Sequence, residues 1–133
     1  MLRITNPERA PPPEARPMDN AATCDLKQRK CVPCEGGVPP LAPAEIEPLL
    51  AAVPGWTLTA DGKAIRRQWR VRDFMSAIEF FQRLAAIAEA EDHHPDLHLT
   101  GYRNVTVEMT THALGGLSMN DFILAAKIND VPV

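Results

Sequence analysis

No run of this chain comes near the roughly 20 consecutive apolar residues of a membrane-spanning helix, and the opening residues lack the apolar stretch of a secretory signal. A soluble, cytoplasmic protein with no membrane partner is expected. An excess of positive charge is missing too: 14 Lys and Arg face 17 Asp and Glu, a net charge of −3. That argues against a nucleic-acid module, because neutralising phosphates takes a basic surface. Cysteine is scarce and odd in number, with three residues, Cys24, Cys31 and Cys34. They do not form the even framework that staples small secreted domains, and they fit a reducing compartment. A length of 133 residues excludes a second full domain and suits one domain around one core. These absences leave a small molecule or another protein as the partner.

Proline is nearly missing from the back of the chain, since eleven of its thirteen prolines lie within residues 1–54. Residues 1–22 combine prolines and mixed charges with few apolar side chains, so ordering them would cost backbone entropy while burying little surface. Residues 1–40 are therefore expected to form a proline-rich, cysteine-bearing, partly disordered extension, and residues 41–133 the folded domain.

Within that domain, residues 41–53 have helical character, with Pro43 suited to the first turn and Pro48 an obstacle to a long helix. Residues 56–59 and 64–71 read as two strands joined at Asp61-Gly62, a tight-hairpin signal. Ile65, Trp69 and Val71 share a face, on which Arg67 is an exception. A long helix capped by Asp73 carries Phe74, Ile78, Phe81, Leu84, Ala85 and Ala88 at helical spacing and must stop before Pro95. Strands at 97–102 and 104–111 follow, and Ser118 with Asp121 predicts a capping box ahead of a helix bearing Phe122, Ala125, Ala126 and Ile128. The order α-β-β-α-β-β-α predicts an α+β fold, a four-stranded antiparallel sheet with three helices packed on one face. So small a core would gain from association through a sheet edge or a helix.

Three of the four histidines, His93, His94 and His98, fall within six residues, and His112 ends the strand that pairs with the one carrying His98. An antiparallel connection around residues 101–103 brings His93 and His94 near His112. Imidazoles beside Glu89, Glu91 and Asp92 suit general acid and base work, the carboxylates fixing tautomers. A metal site is the competing reading, but adjacent His93 and His94 do not give the i, i+4 pair of a helical zinc motif, so no metal is assigned.

The run from Glu89 through His93-His94-Pro95 to Tyr102, then Thr111-His112, Gly116-Leu117-Ser118 and Asn120-Asp121-Phe122, closely resembles the pterin-4a-carbinolamine dehydratases. The family's motif is an acid, three residues, His-His or His-Asn, an aromatic, nine residues, a His and an Asp. Glu89, His93, His94, Tyr102, His112 and Asp121 meet it across 33 residues, and the likeness extends back through Gly55-Trp56.

That resemblance implies a hydro-lyase dehydrating 4a-hydroxytetrahydrobiopterin to quinonoid dihydropterin in tetrahydrobiopterin recycling, without cofactor or metal. It makes His93 and His112 the acid and base, with His94 holding the pterin ring. Glu89 and Asp92 would orient imidazoles or pterin. Pro95, Thr111, Ala113, Leu114 and Asp121 would complete the substrate site, the backbone from Thr111 to Leu114 lining it with strand-end amides and carbonyls, and Asp121 with helix capping as its competing role. It also implies a homodimer or homotetramer.

Leu97 and Leu114 depart from the family, replacing an aromatic and a cysteine, and neither position supplies a proton. Cys31-Val-Pro-Cys34 with Gly36-Gly37 is similar to the leader of some bacterial and organellar relatives. It is read as a loop packed on the domain with ordinary reduced thiols. The alternative function is a dehydratase-like protein-binding factor, a dimerisation cofactor or assembly factor, docking a partner through the N-terminal extension.

Overall fold

Asp61 and Gly62 turn the chain as their chemistry requires: Gly62 takes φ 72°, and the Asp61 carboxylate accepts hydrogen bonds from Lys63 N and Thr59 Oγ1. The computed structural model describes residues 26–31 and 39–133. The expectations for residues 1–22, Cys24, Cys34, Gly36 and Gly37 lie outside the described residues. Within them the order is α1 Pro43–Ala51, β1 Thr57–Leu58, β2 Ile65–Arg70, α2 Phe74–Glu91, β3 Asp96–Thr100, β4 Asn104–Met109 and α3 Met119–Asn129, with a 3-10 turn, His112–Leu114, before α3. The predicted α+β succession holds. α1 runs through Pro48 but ends one turn later. Tyr102, expected to end a strand, instead sits at φ 58° beside Gly101 at φ 54°, so the turn is tighter than the periodicity suggested.

All neighbouring strands are antiparallel, in the order β1-β2-β4-β3. The second hairpin thus places β4 beside β2, leaving β1 and β3 as edges. The register sorts side chains by face. Ile65 lies opposite Met109 and Trp69 opposite Val105, while Leu97 and Leu99 face Val107 and Val105. The helices cover this apolar side, and Arg66, Gln68 and Arg70 remain exposed on the other.

Arg67 falls on the covered face, where its Nη1 finds acceptors in Asn129 Oδ1 and Pro54 O. It donates to Asn129 Oδ1 at 2.5 Å and lies 4.7 Å over the Trp69 ring. Gly55, at φ 91°, passes so close that a Cβ there would meet Arg67 Nε at 2.7 Å.

The buried stripe of α2 differs from the expected one. Ala77, Phe80, Leu84, Ala88 and Glu91 face the core, whereas Phe74 is 50% exposed. The helix is apolar over more than one face, so several stripes satisfy its periodicity. Packing selected the one in which Phe80 meets Trp69, ring centroids 5.0 Å apart at 62°. α3 is buried on nearly all sides, residues 120–126 and Ile128 included.

Residues 26–31 form a short strap against this layer. Leu26 is 2% exposed within the core, and Lys27 pairs with Asp130 at 3.0 Å. Burial, with the Glu91 carboxylate adding to it, pushes the Cys31 thiol up to about 12.

Phe80→Ala is expected to cost about 3–5 kcal/mol in urea unfolding; a loss near 1 kcal/mol, roughly the value for a half-exposed side chain, would put the buried stripe elsewhere. In a chain with Cys24→Ser and Cys34→Ser, Cys31 should react with iodoacetamide at about pH 8 at least a hundredfold more slowly than free cysteine. Its rate should climb only as the pH approaches the raised value.

Candidate active site

Two elements end where the chemistry gathers. α2 closes on Asp92, which takes the left-handed conformation at φ 53°, and His93 N returns to Ala88 O at 3.1 Å. β3 begins directly afterwards, with Asp96 paired to Glu108 near the end of β4. His93 and His94 therefore lie at the end of the sheet from which the chain runs on to Thr111 and His112, as the antiparallel connection requires.

Asp121 organises this corner. It is fully buried, and its Oδ1 lies 2.7 Å from His93 Nε2. Its Oδ2 accepts from Thr111 Oγ1 at 2.8 Å and from Ser118 N at 2.9 Å. Thr111 has one hydroxyl hydrogen and gives it to Asp121, so the 2.8 Å contact between Thr111 Oγ1 and Ser118 Oγ has serine as donor. A carboxylate surrounded by donors leaves His93 Nε2 to carry the hydrogen and Nδ1 as the nitrogen able to exchange protons. The His93 side chain is 12% exposed. Asp121 is thus both helix cap and imidazole partner, and the two competing roles are compatible because they use different oxygens.

The adjacent histidine turns elsewhere. His94 Nε2 meets Glu89 Oε2 at 2.6 Å on the solvent side of α2. His94 and Pro95, with Leu84, Ala85, Ala88, Glu89 and Leu97, line a groove of about 130 Å³, below the roughly 300–1,000 Å³ usual for small-molecule pockets. His98 pairs with Thr106 on the sheet's exposed face, away from His93. Asp92 is exposed, and its visible task is the left-handed cap.

His112, Ala113 and Leu114 form the 3-10 turn, with His112 and Ala113 exposed. The backbone edge expected from Thr111 to Leu114 is narrower than anticipated. Thr111 N is bound to Gly116 O at 2.9 Å and Leu114 N to Thr111 O at 3.0 Å, leaving His112 and Ala113 to present theirs.

Glu91, grouped by sequence with Glu89 and Asp92 as carboxylates beside the imidazoles, faces inward to Lys127 and Cys31 instead. Its phase gave the signal: residues 77, 80, 84, 88 and 91 share one helical stripe. The Thr111 hydroxyl was the missed participant, since only its backbone was expected to matter.

The model of a family described as pterin 4 alpha carbinolamine dehydratase matches residues 39–131. The chain belongs to this family. It is 50% identical over 112 residues to the mitochondrial pterin-4-alpha-carbinolamine dehydratase 2 of Arabidopsis thaliana, covering 82% of this chain and 60% of that protein. The chain thus spans about three-fifths of that plant relative's length. A Halorhodospira halophila protein provisionally named as the same dehydratase is 46% identical over 104 residues, covering 78% of this chain and 94% of its own. Among solved structures, the crystal structure of a transcriptional coactivator/pterin dehydratase from Brucella melitensis shares the fold at a TM-score of 0.65 and 33% identity. It covers 69% of this chain and 97% of that one. Among the described residues no helix is long and apolar enough to cross a membrane.

Asp121→Ala should lower stability by about 3 kcal/mol, because it strands a buried hydroxyl, an amide and an imidazole. Urea unfolding checks this, and a loss under about 1 kcal/mol would reduce Asp121 to an ordinary helix cap.

Proposed function

We propose that the chain dehydrates 4a-hydroxytetrahydropterin, the tetrahydrobiopterin form included, to quinonoid dihydropterin and water, as a recycling step. The C4a–O bond breaks as the departing hydroxyl takes a proton, and the N5–H proton is removed as the C4a=N5 double bond forms. No electrons are gained or lost overall. Two groups able to exchange protons near neutrality are sufficient. The observation that carries the reading is the 2.7 Å pair between His93 and buried Asp121, at the sheet end where His112 follows β4.

His93 and His112 serve as acid and base, and His94, held by Glu89, supports the pterin ring. Asp121 keeps the His93 tautomer constant through the cycle. Asp92, Pro95, Thr111, Ala113 and Leu114 border the substrate, with the His112 and Ala113 amides available to its hydrogen-bonding edge.

The working domain spans residues 41–133, with the proline-rich front as its extension, in a cytoplasmic setting. A homodimer or homotetramer is the assembly. Phe74 and Met75, 50% and 61% exposed, and the open edge of β3 favour association. A second reading, protein binding through the extension, draws support from the coactivator half of the Brucella protein's name.

The deciding assay follows the decay of 4a-hydroxytetrahydropterin by absorbance. The wild-type protein should accelerate it, and His93→Ala with His112→Ala should lower kcat by about 10²-fold or more. A folded protein without acceleration would overturn the dehydratase reading and favour the binding role.

A further inference from the structure

Glu91 is 8% exposed and contacts none of the groups assigned to proton transfer. Its carboxylate joins three segments. Oε2 accepts from Lys127 Nζ on α3 at 2.9 Å, and Oε1 accepts from Cys31 N in the strap at 2.8 Å. Lys30 Nζ stands 3.9 Å from Oε2 and donates to Ala90 O at 3.3 Å.

The location gives this joint its consequence. Glu91 is the last residue of α2, two positions before His93, and Lys127 lies on the same helix as Asp121. α2 and α3 are therefore tied at two points, Glu91 to Lys127 and His93 to Asp121. The strap closes the first tie and also reaches the second: Cys31 Sγ lies 3.6 Å from the carbonyl oxygen of Asn120, the residue preceding Asp121. Among the described residues, releasing Glu91 would leave His93–Asp121 as the side-chain hydrogen bond between the end of α2 and α3, beside the apolar packing of the two helices.

We infer that Glu91 is a positioning residue for His93: by clamping the strap and α3 to the last turn of α2, it sets the registry of the His93–Asp121 pair. This inference rests on the dehydratase reading. Burial raises the Glu91 carboxyl, but hydrogen bonds from Cys31 N and Lys127, with the charges of Lys127 and Lys30, outweigh it and hold the group below the ordinary carboxylate range. The clamp is then ionic at neutral pH. Among the described residues the strap is therefore part of the site's support.

The test uses the full chain carrying Glu91→Gln, and a second variant, Glu91→Gln with Lys127→Met, which leaves no unpaired buried charge if the first fails to fold. Kinetics of 4a-hydroxytetrahydropterin decay are measured beside the ¹⁵N spectrum of the His93 ring nitrogens. The expected result is a kcat lower by about tenfold, a KM within about twofold of wild type, and displaced His93 signals. A folded variant with wild-type kcat and unmoved His93 signals overturns the inference, as does a raised KM at unchanged kcat. An inactive wild-type protein would sink the dehydratase reading, and the His93 signals would still decide the positioning role.

Discussion

The buried carboxylate of Asp121 is the constraint on which the corner of this molecule depends. It sits at the start of α3, yet its partners come from the end of α2, from the segment after β4 and from its own N-cap. Such a group is costly to bury unless every lone pair finds a donor. Satisfying it brings three chain segments to one point. The same hydrogen bonds that make the burial tolerable select the tautomer of His93, so the packing of the corner and the orientation of the imidazole share one set of contacts.

Adjacent residues serve opposite sides of the fold. The left-handed turn at Asp92 ends α2, and the chain enters β3 four residues later at Asp96. His93 turns inward to Asp121 and His94 outward to Glu89. A doublet that reads as one catalytic unit is two separately held imidazoles. Glu89 and Glu91 divide similarly: two positions apart on a helix, they point about 200° apart, one to solvent and one to the interior.

Much of the fold was legible in local patterns. Asp61-Gly62 marks a hairpin, Asp73 accepts from Ser76 N at 2.8 Å as a cap should, and Pro95 limits α2. These features depend on neighbours in sequence, where steric and hydrogen-bonding rules act directly. The buried face of α2 was less legible, because Phe74, Ile78, Phe80 and Phe81 offer overlapping apolar stripes. Tertiary packing, including the Trp69 ring brought in by β2, distinguishes Phe80. Arg67 looked like an exception for the same reason: its acceptor, Asn129, belongs to a distant helix.

The candidate site divides along this line. Residue types and spacings from Glu89 to Asp121 determined the family, the order of elements and the side chains able to exchange protons, since those properties reside in the chain itself. Tertiary structure decided which carboxylate meets which imidazole, that Thr111 works through its hydroxyl, that His98 faces away on the outer sheet surface, and that Glu91 ties a strap instead of joining the acid and base groups. Those choices depend on the strand order β1-β2-β4-β3 and on the approach of α2 to α3. Such contacts span tens of residues, and a periodicity of 2 or 3.6 carries no information about them.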